Sequence, residues 1–216
     1  KKLDSLKNAG LNGLCVSLDH HEAKVHNEQR ANPRAFASAC EAIHDAVDLG
    51  YYVSVVCCTT NSMVESGAFA RVVDLAESLG AHSVQLNEIR PVGNAFENGE
   101  RDLFLSLQSQ QTLIDYYTAQ NRSRRRIAIV MPWYHERASR FGCMAVSGQK
   151  LYIDARGDVH PCELLKLPMG NIQQESLTEI FSRILAPCRE PGDRCIVHDL
   201  NRLTHVGKSP MAQSPA

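Results

Sequence analysis

The sequence predicts an α/β fold: an incomplete, TIM-like parallel (β/α) barrel followed by a small β-hairpin-plus-helix extension. Three observations predict it. Up to about residue 132, short runs rich in β-branched and aromatic residues alternate with amphipathic helical stretches, the signature of βαβ units and a parallel sheet. Beyond Trp133 the helical periodicity fades and turn residues crowd in. The eight cysteines also divide. Cys15, Cys40, Cys57 and Cys58 sit in apolar segments, whereas Cys143, Cys162, Cys188 and Cys195 sit among Gly, Pro and charged residues.

The elements follow in order. Leu14 to Asp19 reads as a short buried strand. A helix is expected from about Asn32, with Asn32 as N-cap and Pro33 in the first position. Phe36, Ala39, Cys40, Ile43 and Val47 recur at helical spacing, and Gly50 stops the helix. Tyr51 to Cys58 is a strand by composition. Val64 to Leu79 is a second amphipathic helix ended by Gly80, Ser83 to Asn87 a strand, Asp102 to Gln120 a helix, and Ile127 to Met131 a last strand stopped by Pro132. Three or four strands with right-handed crossovers do not close a barrel, but they form part of one. In the second half, Leu151–Asp154 and Val159–Cys162 flank Ala155-Arg156-Gly157-Asp158, a hairpin with its glycine at the turn. Gly170-Asn171-Ile172 and a helix from about Ser176 to Ile184 follow. The expected organisation is a partial barrel over 1–132, an extension over 133–204 and a disordered tail over 205–216.

The totals exclude several classes. The chain has 216 residues, is 44% hydrophobic and 22% charged, and carries a formal net charge of -1. With an isoelectric point near 6.8, it has no bulk field to draw it to nucleic acid or an acidic membrane. Arg122, Arg124, Arg125 and Arg126 are a local exception, expected as a solvated loop. No apolar run approaches the ~20 residues of a membrane span. The N-terminus is too polar for a signal peptide and reads as a helix already under way, so the chain is expected to begin mid-domain. Without an export signal, the cysteines point to a reducing, cytoplasmic compartment rather than to disulfides. The first four are then expected as small core residues.

Two groups of residues could carry chemistry. Ser17 and Asp19 are expected on one strand face, Gln85 and Asn87 share another, and Thr59, Thr60 and Asn61 follow the second strand. Polar groups thus gather at the C-terminal ends of successive parallel strands, where barrel folds place active sites. Strand-end caps and turns would give the same pattern. The second group is the later cysteines. Eighteen residues separate Cys143 from Cys162, and six separate Cys188 from Cys195. Four thiolates suit one iron–sulfur cluster or a tetrahedral zinc, and spacing does not choose between them. His20, His21 and His26 read as loop histidines rather than a metal site. Cys57 and Cys58 point to opposite strand faces.

The run Gly10-Leu11-Asn12-Gly13-Leu14-Cys15-Val16-Ser17-Leu18-Asp19 resembles the fourth-strand segment of radical S-adenosylmethionine (SAM) enzymes. His26 to Arg30 with Phe36, and Arg90-Pro91-Val92-Gly93, resemble later segments of the same family. Gly142-Cys143, Gly157-Asp158-Val159-His160-Pro161-Cys162 and Gly170-Asn171-Ile172 resemble the SPASM or twitch extension. The likeness runs over about residues 3–200.

The resemblance implies a partial barrel that binds SAM and a [4Fe–4S] cluster, with an extension for an auxiliary cluster. It assigns Cys143, Cys162, Cys188 and Cys195 as ligands of one auxiliary [4Fe–4S] cluster. It places Ser17 at the SAM ribose, with Asp19, Thr59 and Asn87 beside it as cofactor-binding residues. The family's C-x-x-x-C-x-x-C triplet occurs nowhere in these 216 residues. The chain alone is therefore not expected to generate a radical. The missing barrel half is expected from the same or a separate chain. The implied function is the C-terminal portion of an oxidoreductase or maturase acting on a peptide, protein or cofactor precursor, served by an electron-donor protein. The alternatives are a non-enzymatic iron–sulfur electron carrier and a structural zinc domain on a degenerate barrel.

Overall fold

A computed structural model of the chain describes residues 2–92, 103–123, 125–135, 143–145, 148–165, 167–184 and 197. Gly93, Arg124, Gly142, Cys188, Cys195 and the 205–216 tail lie outside the described residues. The chain divides into two compact units, Lys1–Ile89 with Glu100–Pro132, and Arg90–Gly99 with Trp133–Ala216.

The first unit is built on four parallel strands in the order β1 (Gly13–Ser17), β2 (Tyr52–Thr59), β3 (Ser83–Glu88) and β4 (Ala128–Val130). Helix α1 (Lys2–Asn8) precedes them. The Tyr51 hydroxyl donates to Leu3 O at 2.6 Å, and Lys7 Nζ donates to Gly50 O at 2.8 Å. Between strands lie α2 (Ala23–Gln29), α3 (Ala35–Asp48), α4 (Asn61–Glu65), α5 (Ala68–Ser78) and α6 (Leu107–Arg122).

Helix α3 packs on β1 and β2, α5 on β2 and β3, and α6 on β4. The core is Val53, Val55, Val84, Leu86 and Ile129 from the strands, with Ile43, Ala46, Val72, Val73, Ala76 and Leu113 from the helices. Each buried branched side chain is worth about 1.5–3 kcal/mol relative to exposure. Sheets covered on both sides read as unbroken apolar runs. β2 alternates instead: Val53, Val55 and Cys57 are fully buried, while Tyr52 is 53% exposed. The helices cover one face. The other presents Cys15, Ser17, Val56, Cys58, Gln85, Asn87 and Val130, exposed or half-buried.

Several expectations change. Cys15 and Cys58 are exposed, so only Cys57 of the four early cysteines is a core residue, and Cys40 is half-buried. Helix α3 begins at Ala35 with Arg34 as N-cap, because Asn32 closes a turn instead: its Oδ1 accepts from Arg34 N at 2.9 Å. Helix α2 was not expected, and it takes His26 out of the loop. The helix expected over 64–79 is two helices. Gly67, at φ 69°, breaks it in a conformation open to glycine. Arg125 is not solvated. Its guanidinium pairs with Asp74 at 2.6 Å and Glu77 at 2.5 Å, and Arg126 N donates to Glu77 Oε1 at 3.2 Å.

In the second unit, Trp133 and Tyr134 sit on the short helix α7 (Pro132–His135). Strands β5 (Tyr152–Ile153) and β6 (Asp158–His160) form the expected hairpin, and β7 (Gly170–Asn171) adds a third antiparallel strand. Helix α8 (Leu177–Ile184) opens with a capping box. Ser176 Oγ accepts from Glu179 N at 3.3 Å, and Glu179 Oε2 accepts from Ser176 N at 3.1 Å. Ile180 of α8 and Val159 of β6 are both fully buried, with Leu151 and Met169 around them. Gly170 lets the helix come this close. A Cβ there would lie 2.8 Å from Ile180 Cγ1 and 2.6 Å from Arg183 Nη2.

Candidate functional site

The strand-end residues divide by face. Ser17 and Asn87 lie on the open face of the sheet. Asn87 Oδ1 accepts from Gln85 Nε2 at 2.9 Å, so these two side chains do share a face. Thr59 is fully buried and ends β2 rather than following it, and its hydroxyl donates to Asn87 O at 2.8 Å. Asp19 is also buried and does not share Ser17's exposure, because β1 ends at Ser17 and the chain then turns off the sheet.

Asp19 is the centre of a local network. Its Oδ1 accepts from Cys58 N at 3.1 Å, and its Oδ2 accepts from Arg30 Nε at 2.7 Å. Its own N–H donates to His26 Nδ1 at 3.1 Å. His26 is buried, which pushes its imidazole below the usual range, against an opposing pull from Asp19. Burial raises the Cys58 thiol, and Asp19 raises it further. Sequence reasoning noticed His26 and Arg30 as a stretch and gave neither a role. The readable signal was their i, i+4 spacing, which puts both on one helix face.

His20, His21 and Glu22 offer ligand atoms within 4.8 Å of one another. The ring lone pairs are already committed. His20 Nδ1 accepts from Glu22 N at 3.0 Å, and His21 Nε2 accepts from Arg71 Nε at 2.9 Å. A neutral imidazole has one acceptor nitrogen. His20 Nδ1 and His21 Nε2 thus act as acceptors in a hydrogen-bonded corner, while His21 Nδ1 is buried with no hydrogen-bond partner.

The cysteine site lies in the second unit. Cys162 is 7% exposed and shares an apolar cluster with Ala145, Leu165 and Val197, against which Cys143 packs. The two sequence-distant thiols are thus brought together, while Cys188 and Cys195 lie outside the described residues. Burial raises the Cys162 thiol. The N–H groups of Leu164 and Leu165 pull it down, and Glu163 and Cys143 push it up again. Two converging thiols in an apolar pocket, one with backbone N–H groups directed at it, fit half of an iron–sulfur ligand set.

Beside Cys162 is a cleft of roughly 410 Å³ lined by Tyr152, Asp154, Arg156, Asp158 and His160 among others. Burial works against ionisation of Asp154, but the N–H groups of Arg156 and Asp158 on its Oδ1 hold the carboxyl below its usual range.

Comparison with known proteins follows the same division. Residues 143–193 match SPASM, an iron–sulfur cluster-binding domain. The chain is 25% identical over 211 residues to the AdoMet-dependent heme synthase of Methanosarcina barkeri (strain Fusaro / DSM 804), covering 88% of this chain and 59% of that protein. It is 24% identical over 200 residues to the sporulation killing factor maturation protein SkfB of Bacillus subtilis (strain 168), covering 91% of this chain and 47% of that protein. The chain spans about half the length of the curated relatives it matches. In fold it resembles Streptococcus suis SuiB bound to S-adenosylmethionine, with a TM-score of 0.55 and 13% identity over 87% of this chain and 50% of that one. SuiB bound to precursor peptide SuiA gives a TM-score of 0.55 and 14% identity, again over 87% of this chain and 50% of that one. No helix among the described residues is long and apolar enough to cross a membrane.

Proposed function

We propose that this chain, a radical SAM protein with a SPASM-type domain, is the C-terminal portion of a peptide-modifying maturase whose auxiliary [4Fe–4S] cluster is held by Cys143, Cys162, Cys188 and Cys195. The observation that carries it is the convergence of Cys143 and Cys162 in one apolar cluster within the matched segment. When bound, such a cluster supplies a one-electron redox centre. The chain's own contribution is to exclude water from Cys162 and to direct the N–H groups of Leu164 and Leu165 at its sulfur.

The open sheet face supplies the other half of the reading. Ser17 and Asn87 stand there as cofactor-binding residues for SAM. Asp19 and Thr59 act behind them, Thr59 on the Asn87 carbonyl and Asp19 on the end of β2. The remaining barrel strands come from the same or a separate chain, and an electron-donor protein serves the cluster.

A peptide substrate is favoured by two likenesses: SkfB is by its name a maturation protein for a sporulation killing factor, and SuiB was seen with its precursor peptide. The AdoMet-dependent heme synthases make a cofactor precursor the second reading.

Anaerobic purification with iron, sulfide and zinc analysis tests the assignment. About four irons and matching sulfide per chain are expected, and Cys162→Ser should lose them. Zinc in place of iron, or iron unchanged in Cys162→Ser, would reject it.

A further inference from the structure

The parallel sheet ends in two unlike edges. The β4 edge is sealed. Ala128 N donates to His82 O at 3.0 Å, so Ala128 and Val130 bond toward β3 and Ile129 faces outward. The Asn121 carboxamide on α6 takes both outward groups of Ile129. Its Oδ1 accepts from Ile129 N at 3.0 Å, and its Nδ2 donates to Ile129 O at 2.8 Å. A side chain thus stands where a further strand would.

The β1 edge is bare. Tyr52 N donates to Asn12 O at 2.9 Å and Leu18 N to Val56 O at 3.0 Å, which sets the even-numbered residues of this stretch against β2. The N–H and C=O groups of Gly13, Cys15 and Ser17 point the other way, where no strand lies among the described residues. All three residues are exposed. Sheets commonly blunt such an edge with Lys, Pro or another charge, and Gly-Leu-Cys-Val-Ser has none of them. The covering layer also stops short. Leu14 and Val16 are half-buried, whereas Val53 and Val55 beside them on β2 are fully buried.

We propose that β1 pairs edge to edge, antiparallel, with β1 of a second copy of this chain, on a two-fold axis at Cys15. The edge is self-complementary. Its three outward residues are evenly spaced, so an antiparallel copy sets Cys15 opposite Cys15 and Gly13 opposite Ser17 on either side. Opposed residues of this kind exchange both main-chain bonds, about six in all, and every outward group of β1 is satisfied. Leu14 of each copy meets Val16 of the other across the seam and completes the covered layer. The same edge would seat the remaining barrel strands, so the pairing belongs to the chain without them. It does not depend on the cluster assignment.

The test sediments the full anaerobic chain over a concentration series and treats it with 4,4′-dithiodipyridine. A reversible monomer–dimer equilibrium is expected. Opposed Cα atoms in such a pair lie about 5.5 Å apart, within disulfide reach. The reagent turns one Cys15 thiol into a mixed disulfide, and the facing Cys15 thiol displaces thiopyridone from it, with one thiopyridone leaving at each step. The cross-linked dimer should persist in Cys58→Ser and vanish in Cys15→Ser. Cys15→Lys sets like charges across the axis and should weaken the dimer at least about tenfold. Cys15→Pro deletes only an outward N–H and should leave a folded monomer. A chain that stays monomeric throughout, a dimer unchanged in folded Cys15→Lys, or a cross-link that survives Cys15→Ser overturns the proposal. Iron content reads the cluster assignment separately, so either can fail without the other.

Discussion

Asp19 and Arg30 form a two-pronged ion pair, with Arg30 Nε 2.7 Å and Nη2 2.5 Å from the same carboxylate oxygen, while the other oxygen accepts the Cys58 N–H. One carboxylate thus ties the end of α2 to the end of β2. It also sets the backbone from which Ser17 and Cys58 are presented. The Asp19 side chain is 11% exposed, so breaking the pair strands a mostly buried charge. Arg30→Met should destabilise the fold by about 1.5–3 kcal/mol. Asp19→Asn should cost a similar amount, and the double variant less than the sum. Urea unfolding of all four proteins measures this coupling, and strict additivity would show that the pair does not act as a unit.

The Glu77–Arg125 pair predicts an acid-sensitive clamp between α5 and the start of β4. The Arg125 hydrogen bond holds the Glu77 carboxyl below its usual range, against an opposing effect of burial. A depressed folded-state value means the unfolded chain binds the proton more readily. The stabilisation is therefore complete above the ordinary glutamate value of about 4.3 and is lost as pH falls through the lower folded value. Thermal melts of the natural protein from neutrality to pH 3 should fall more steeply in the acid range than those of Glu77→Gln. Parallel curves would show the clamp contributes nothing.

Much of this fold was legible because it is local. A β-branched and aromatic run gave β2, and Gly157 between polar residues gave the hairpin, since composition and turn chemistry act within a few residues. Arg125 was misread because its partners lie 51 and 48 positions away, and a charge run carries no record of distant carboxylates. The open sheet face had a local signature that was missed: Cys15 and Ser17 alternate with Leu14 and Val16 as a half-covered strand does. At the cysteine site, residue types and spacing allowed two metals. Burial of Cys162 beside Cys143 is tertiary information that spacing does not contain.

Gly170 predicts a steric limit. Gly170→Ala places a methyl against Glu175, Arg183 and Ile180, and should cost about 1–3 kcal/mol through overpacking. Ile180→Ala opens a cavity of its own, and the two changes together should cost less than the sum of the single variants. Chemical denaturation of the single and double variants decides this, and a neutral Gly170→Ala would refute the close approach.

Thiol exposure predicts a labelling order. Cys57 is fully buried and its thiol is raised well above normal, mainly by burial. Cys58 is exposed but also raised. With iodoacetamide under native conditions, Cys57 should stay unmodified while Cys58 reacts, at a rate that climbs through alkaline pH. Mass spectrometry of digested protein reads both sites, and equal labelling would contradict the strand's facing.

The alternation along β2 and β3 has an evolutionary consequence. Residues that hold the sheet to its helices and residues that look outward occupy interleaved positions of the same strands, so the two sets can vary almost independently. A lineage could rewrite Val56, Cys58 and Gln85 to suit a new substrate while Val53, Val55, Val84 and Leu86 stay as they are. One scaffold could then be shared by chemistries as different as peptide tailoring and cofactor synthesis.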